Sequence, residues 1–152
     1  MKAKILVALI PLLVAACART DSTTVQNLEK NRDCPRCNLQ GKQLKGASLG
    51  KANLAEANLE KVNLQGARLT EANLVGARLA EANLNRAQLQ GANLAKAYLV
   101  RANLSQANLL GADLHQADLT AANLKGATLR ESDLKGAILV NTTMPNGTIR
   151  NR

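Results

Sequence analysis

The chain has 152 residues, enough for one domain, and carries a formal charge of +9. Phe and Trp are absent and Tyr98 is the sole aromatic residue, which excludes a core built on aromatic bulk and leaves Leu and Ala to fill the interior. The positive balance is compatible with anionic surfaces and argues against any role that needs an acidic one.

At the N-terminus, Lys2 and Lys4 precede an apolar run over residues 5–14 that contains Pro11. A positive start, a short apolar run and the small pair Ala15-Ala16 form the layout of a secretory signal peptide, and the run is too short to span a bilayer as a helix. Val14-Ala15-Ala16-Cys17 resembles a bacterial lipobox, with Val14 where Leu is usual. That resemblance implies cleavage before Cys17, so that residues 1–16 are removed and the Cys17 thiol carries a diacylglyceryl group. Loss of Lys2 and Lys4 takes the charge from +9 to +7. The expected location is the bacterial cell envelope, lipid-anchored. Ala18 rather than Asp after the cysteine implies the outer membrane, by resemblance to lipoprotein sorting rules. A competing cut after Ala18, where Ala16-Cys17-Ala18 also fits, would give a secreted or soluble periplasmic protein.

Residues 17–33 are polar and are expected to form a tether followed by a short helix. Thr23 with Gln26 fits a capping box, which predicts a helix over residues 24–31 with Val25 and Leu28 on one face. Such a helix could cover the open end of a domain begun after residue 33. Cys34-Pro35-Arg36-Cys37 comes next. Three cysteines are an awkward number for an exported protein, but lipid on Cys17 leaves Cys34 and Cys37 as a pair.

From residue 39 to residue 139 a leucine stands at every fifth position, twenty-one in all. Two residues before most of them is Ala, and directly before many is Asn or Asp, as in Ala52-Asn53-Leu54. A helix needs apolar spacings of three and four and a strand needs two, so neither explains a period of five. A fixed internal period signals a solenoid. If each five-residue unit forms one side and turns a corner, Ala and Leu can both face inward and the other three positions face solvent. Cys34 falls in the leucine register and Cys37 in the alanine register, so both are expected to point inward. Gly41, Gly46, Gly66, Gly76, Gly91, Gly111, Gly126 and Gly136 all follow a leucine by two residues, where a corner would use their freedom.

This A-[N/D]-L-x-x pattern resembles the pentapeptide-repeat family and covers roughly three-quarters of the chain. The resemblance implies an all-β fold, a right-handed quadrilateral parallel β-helix with four units per coil, over residues 34–152. With Cys34, Met144 and Ile149 counted in register, it would have about six coils and a length of roughly 29 Å at the strand spacing. The segment around Pro145 is expected to close the far end, because proline cannot donate a ladder hydrogen bond.

Sorting outer positions by residue number modulo 20 assigns them to sides. Tyr98, Val100, Ile138 and Val140 fall on the most apolar side, a candidate docking surface. Lys45, Arg86 and Lys125 fall on a side without acids, a candidate contact for anionic lipid or polysaccharide. Lys42, at an inward position, is expected to escape outward. The Asn/Asp column of Asn53, Asn73, Asn93, Asp113 and Asp133 is read as structural, its amides pairing along the axis or bonding the corner backbone. Two carboxylates are few for calcium, and zinc on Cys34 and Cys37 would lack further ligands, since His115 lies coils away. These cysteines are expected to form a disulfide or to remain two buried thiols, since no thioredoxin-like context surrounds them. Neither a phosphate loop nor a Ser/His/Asp set occurs. The expected function is therefore non-enzymatic and cofactor-free: an anchored scaffold for an unidentified protein partner, with homodimerisation a further expectation and nucleic acid opposed by export. The alternative is a DNA-mimicking topoisomerase-protection protein, as some members of the family are, which basic charge and the export signal both disfavour.

Overall fold

A computed structural model describes Leu28, residues 30–130 and residues 132–151. The expected signal peptide, Cys17 and most of the expected tether and helix lie outside the described residues.

Each five-residue unit solves the same local problem. In Leu54-Ala55-Glu56-Ala57, the Ala57 N–H donates to the Leu54 carbonyl across 3.1 Å, closing a turn whose third residue, Glu56, has φ of 56°. This turn recurs at the corners. The intervening extended part is so short that a single residue of each unit bridges the next coil. Residues 20 apart pair in parallel: Asn58 with Arg78, Arg78 with Tyr98, and so on from Asp33 to Thr143. Between Leu59 and Arg78 the ladder is made by Leu59 N–H to the Arg78 carbonyl at 2.7 Å and Arg78 N–H to the Ala57 carbonyl at 2.9 Å. Four units therefore close one coil, and the coils stack through backbone hydrogen bonds.

The interior is the predicted stack of small and large side chains. Leu49 through Leu124 in the leucine register are fully buried, as are the alanines between them, with Val62 replacing one alanine. At the N-terminal end Leu28, Lys30 and Asn31 are helical, and Arg32 N–H donates to the Leu28 carbonyl at 2.8 Å. Leu28 is completely buried against the first coil, and Cys34 and Cys37 pack half-buried against the same core. Lys42 is half-buried.

The C-terminal end departs from the predicted register. Ile149 is 65% exposed rather than inward. Strand β1, Thr142–Thr143, pairs antiparallel with strand β2, Ile149–Arg150, so the chain folds back instead of laying down another side. The reversal has a local cause. Pro145-Asn146-Gly147 makes the turn, with the positive φ delayed by one residue to Gly147 at 85°. The Asn146 Oδ1 accepts from the Thr148 N–H and hydroxyl. Met144 N–H, which a further coil would otherwise engage, donates instead to the Thr148 carbonyl at 2.8 Å. Met144 itself stays in register and packs half-buried on the core. Leu129, Leu134 and Ala137 of the last coil are only partly covered.

Candidate functional site

The outer surface is built on corner chemistry. Where Asn or Asp precedes the leucine, its Oδ1 accepts the backbone N–H two residues on. Asn83 does so from Asn85 at 3.1 Å, and Asp113 from His115 at 2.8 Å. This local bond is the physical reason for Asn and Asp at that position. The amides also pair between coils, as Asn53 Nδ2 to Asp33 Oδ1 at 2.9 Å and Asn73 Nδ2 to Asn53 Oδ1 at 3.2 Å. Both readings of the Asn/Asp column therefore hold at Asn53 and Asn73, and the Asn53 Oδ1 serves both, accepting from the Ala55 N–H and from Asn73 Nδ2.

Two hydroxyls replace alanine inside without leaving a polar group unsatisfied. Thr142 Oγ1 donates to the Leu119 carbonyl at 2.7 Å and Ser132 Oγ to the Leu109 carbonyl at 2.6 Å.

Corner cations and anions stack one coil apart. Arg36 pairs with Glu56 at 2.8 Å, Lys51 with Glu71 at 3.4 Å and Lys61 with Glu81 at 3.9 Å, while Arg78 reaches Glu60 at 2.6 Å. The hydrogen bond and charge of Arg36 hold the Glu56 carboxyl below its ordinary range, and Glu56 raises the Arg36 guanidinium in return. Three of these pairs follow from the spacing of 20, so they were legible in the numbering, although sorting residues by side did not single them out.

The apolar candidates form two groups rather than one surface. Tyr98 and Val100 line a groove of about 310 Å³ with Glu60, Arg78 and Ala80. Ile138 and Val140 lie farther along, and Asp118, bridged to Tyr98 on one side and to Ile138 on the other, separates them. Leu110, 40% exposed at a different corner, is a further apolar outer residue that the sequence pattern did not single out. On the basic side Arg86 and Lys125 border one shallow depression of about 690 Å³, together with Gln65, Asn85, Ser105, Gln106, Asn123 and Gly126. Lys45 is exposed on the same side but outside that depression. At the N-terminal end the sulfur atoms of Cys34 and Cys37 meet, with their Cα atoms 5.4 Å apart, a separation that a disulfide spans.

Comparison with known proteins agrees with this architecture. A family model described as pentapeptide repeats (8 copies) matches residues 37–76, 63–99 and 97–136. The structure is similar to the pentapeptide repeat protein Rfr23 from the cyanobacterium Cyanothece 51142, with 34% identity and a TM-score of 0.72 over 82% of this chain and 96% of that one. It is also similar to a pentapeptide repeat protein from the thylakoid lumen of Arabidopsis thaliana, with 26% identity and a TM-score of 0.50 over 76% of this chain and 70% of that one. No curated protein matches the chain. These neighbours imply the right-handed quadrilateral β-helix, and the family match indicates no catalytic class. With parallel bridges every 20 residues, a Leu/Ala interior and family matches running from residue 37 to residue 136, the chain belongs to the pentapeptide-repeat family.

Proposed function

We propose that this protein is a non-enzymatic scaffold of the bacterial cell envelope, a rod of about six coils held to a membrane by lipid on Cys17 and offering its outer sides to a partner. The observation that carries the scaffold reading is the fully buried Leu/Ala interior, which leaves only the flat exterior for recognition. Val14-Ala15-Ala16-Cys17, followed by a polar segment, supports the anchor. In this reading residues 1–16 are a signal peptide, residues 17–33 are tether and capping helix, and residues 34–152 form the rod with its ends. Leu28, buried against the first coil, supports the cap. Cys34 and Cys37 close that coil as a disulfide, which export permits.

Metabolic labelling with a radioactive fatty acid tests the anchor. The parent is expected to carry label in a bacterial host and C17A none. Equal labelling of C17A would defeat the anchor claim. The topoisomerase-protection alternative ranks lower because the chain is +9 as written, and +7 without Lys2 and Lys4, where a duplex mimic needs an acidic rod. Protection of gyrase at stoichiometric protein would reverse that order.

A further inference from the structure

We propose that the side carrying Arg86 and Lys125 binds a carboxylated polysaccharide. The first observation is uncompensated charge. The other three sides mix cations with acids such as Glu56, Glu71, Glu60 and Asp118, and there Arg36, Lys51, Lys61 and Arg78 each meet a glutamate. On this side, from Gln43 to Gly126, the outer positions hold no Asp or Glu. Glu81, which borders it, is taken by Lys61. Arg86 Nε donates to the neutral Gln106 Oε1 at 2.7 Å, so its charge stays available.

The second observation is what lies between the cations. The depression bordered by Arg86 and Lys125 is lined by Gln65, Asn85, Ser105 and Gln106. Gln65 Nε2 donates to Asn85 Oδ1 and Asn85 Nδ2 to Ser105 Oγ, which fixes these groups in a row and leaves their second donors and lone pairs for a ligand. Beside it Asn63, Asn83, Asn103 and Asn123 stand in one bridged column. The column repeats once per coil, at about the 4.8 Å strand spacing. A regular array of amides with sparse cations matches a polymer with many hydroxyls and sparse carboxylates.

Other anionic partners fit less well. These outer positions present neither aliphatic nor aromatic side chains for a bilayer, and Lys45, Arg86 and Lys125 are few cations for an anionic membrane surface. They are also few for a duplex, whose hold depends on many phosphate contacts. Weak contacts repeated along a polymer would add through avidity.

The polysaccharide site rests on the envelope reading, which supplies the setting for such a polymer. Its test uses purified protein, so failure here is distinguishable from failure of lipid labelling. Affinity electrophoresis through gels containing hyaluronate, which carries one carboxylate per disaccharide, should retard the protein, and gels containing neutral dextran should not. R86E/K125E should weaken the apparent affinity by about tenfold or more, whereas K96E/K135E, with the same charge change on another side, should stay within about twofold. Corners already hold glutamate at positive φ at Glu56, Glu71 and Glu81, so R86E is compatible with the backbone. R86Q/K125Q provides a neutral second variant, expected to weaken binding in the same direction. Equal retardation by dextran, equal loss in K96E/K135E, or unchanged binding in R86E/K125E and R86Q/K125Q would overturn the assignment. So would tighter binding to phosphatidylglycerol vesicles or duplex DNA with the same variant sensitivity.

Discussion

The third residue of each turn decides how easily a corner forms. Gly66 has φ of 65° and open space where a Cβ would be, whereas Ala121 occupies the equivalent position with φ of 57°. Steric conflict of a Cβ with the backbone is therefore the main difference between glycine and alanine at these corners. Replacing Gly66 with Ala should cost about 1 kcal/mol, and Ala121→Gly should gain a fraction of that, reduced by the added entropy of the unfolded chain. Denaturant midpoints measured at unchanged slope would check both signs. Glycine marked eight corners in the sequence, but the structure puts Lys51, Glu56, Arg101, Gln106 and others in the same left-handed conformation. The period sets the backbone requirement, and glycine is one way of meeting it. Exposed polar residues meet it too, supported at corners such as Asn103–Gln106 by the Asx bond in which the Ser105 N–H donates to the Asn103 Oδ1.

The ends are where elements differ from the repeat. At the first coil Cys34 and Cys37 pack half-buried against the core at the register positions counted for them, and Leu28 is buried in the same core from a helical turn. The disulfide reading predicts that neither thiol reacts with an alkylating reagent until a reductant is added; mass spectrometry of the folded protein, purified without reductant, checks it, and free labelling would contradict it. At the last coil the segment around Pro145 does end the rod, but not through a missing ladder donor, because the equivalent N–H of Lys125 bonds the Asn123 Oδ1 rather than the next coil, and the pattern was wrong about Ile149. Counting fives extended the ladder one unit too far because the count cannot register a backbone that reverses. Asn146, Gly147 and Thr148 make a turn whose own hydrogen bonds replace those of a further coil.

For the whole molecule, stability should grade along the axis. Each unit contacts its neighbours in chain and in space, so a central cavity is enclosed by coils on both sides while a terminal one can relax. Leu84 is completely buried in the middle, and Leu134 is partly covered near the end. Leu84→Ala should cost about 3–5 kcal/mol and Leu134→Ala distinctly less, near the lower end of the range for leucine truncations at about 2 kcal/mol. Thermal and chemical melts would measure the difference, and equal costs would contradict the graded picture.

Much of the rod was written in the period of five. That spacing fits neither helix nor strand, so it determined by itself a coiled chain with Leu and Ala inside and the other three positions outside. Register modulo 20 even placed Arg86 and Lys125 on one side. Tertiary structure alone decided what those positions become. It paired Arg78 with Glu60 across an offset of 18 residues and turned Ile149 outward, whereas Asp118 between Tyr98 and Ile138 already followed from the spacing of 20. The reason is physical: burial repeats with the sequence, whereas side-chain reach and the competition between a turn and another coil are settled only when neighbouring coils are in place.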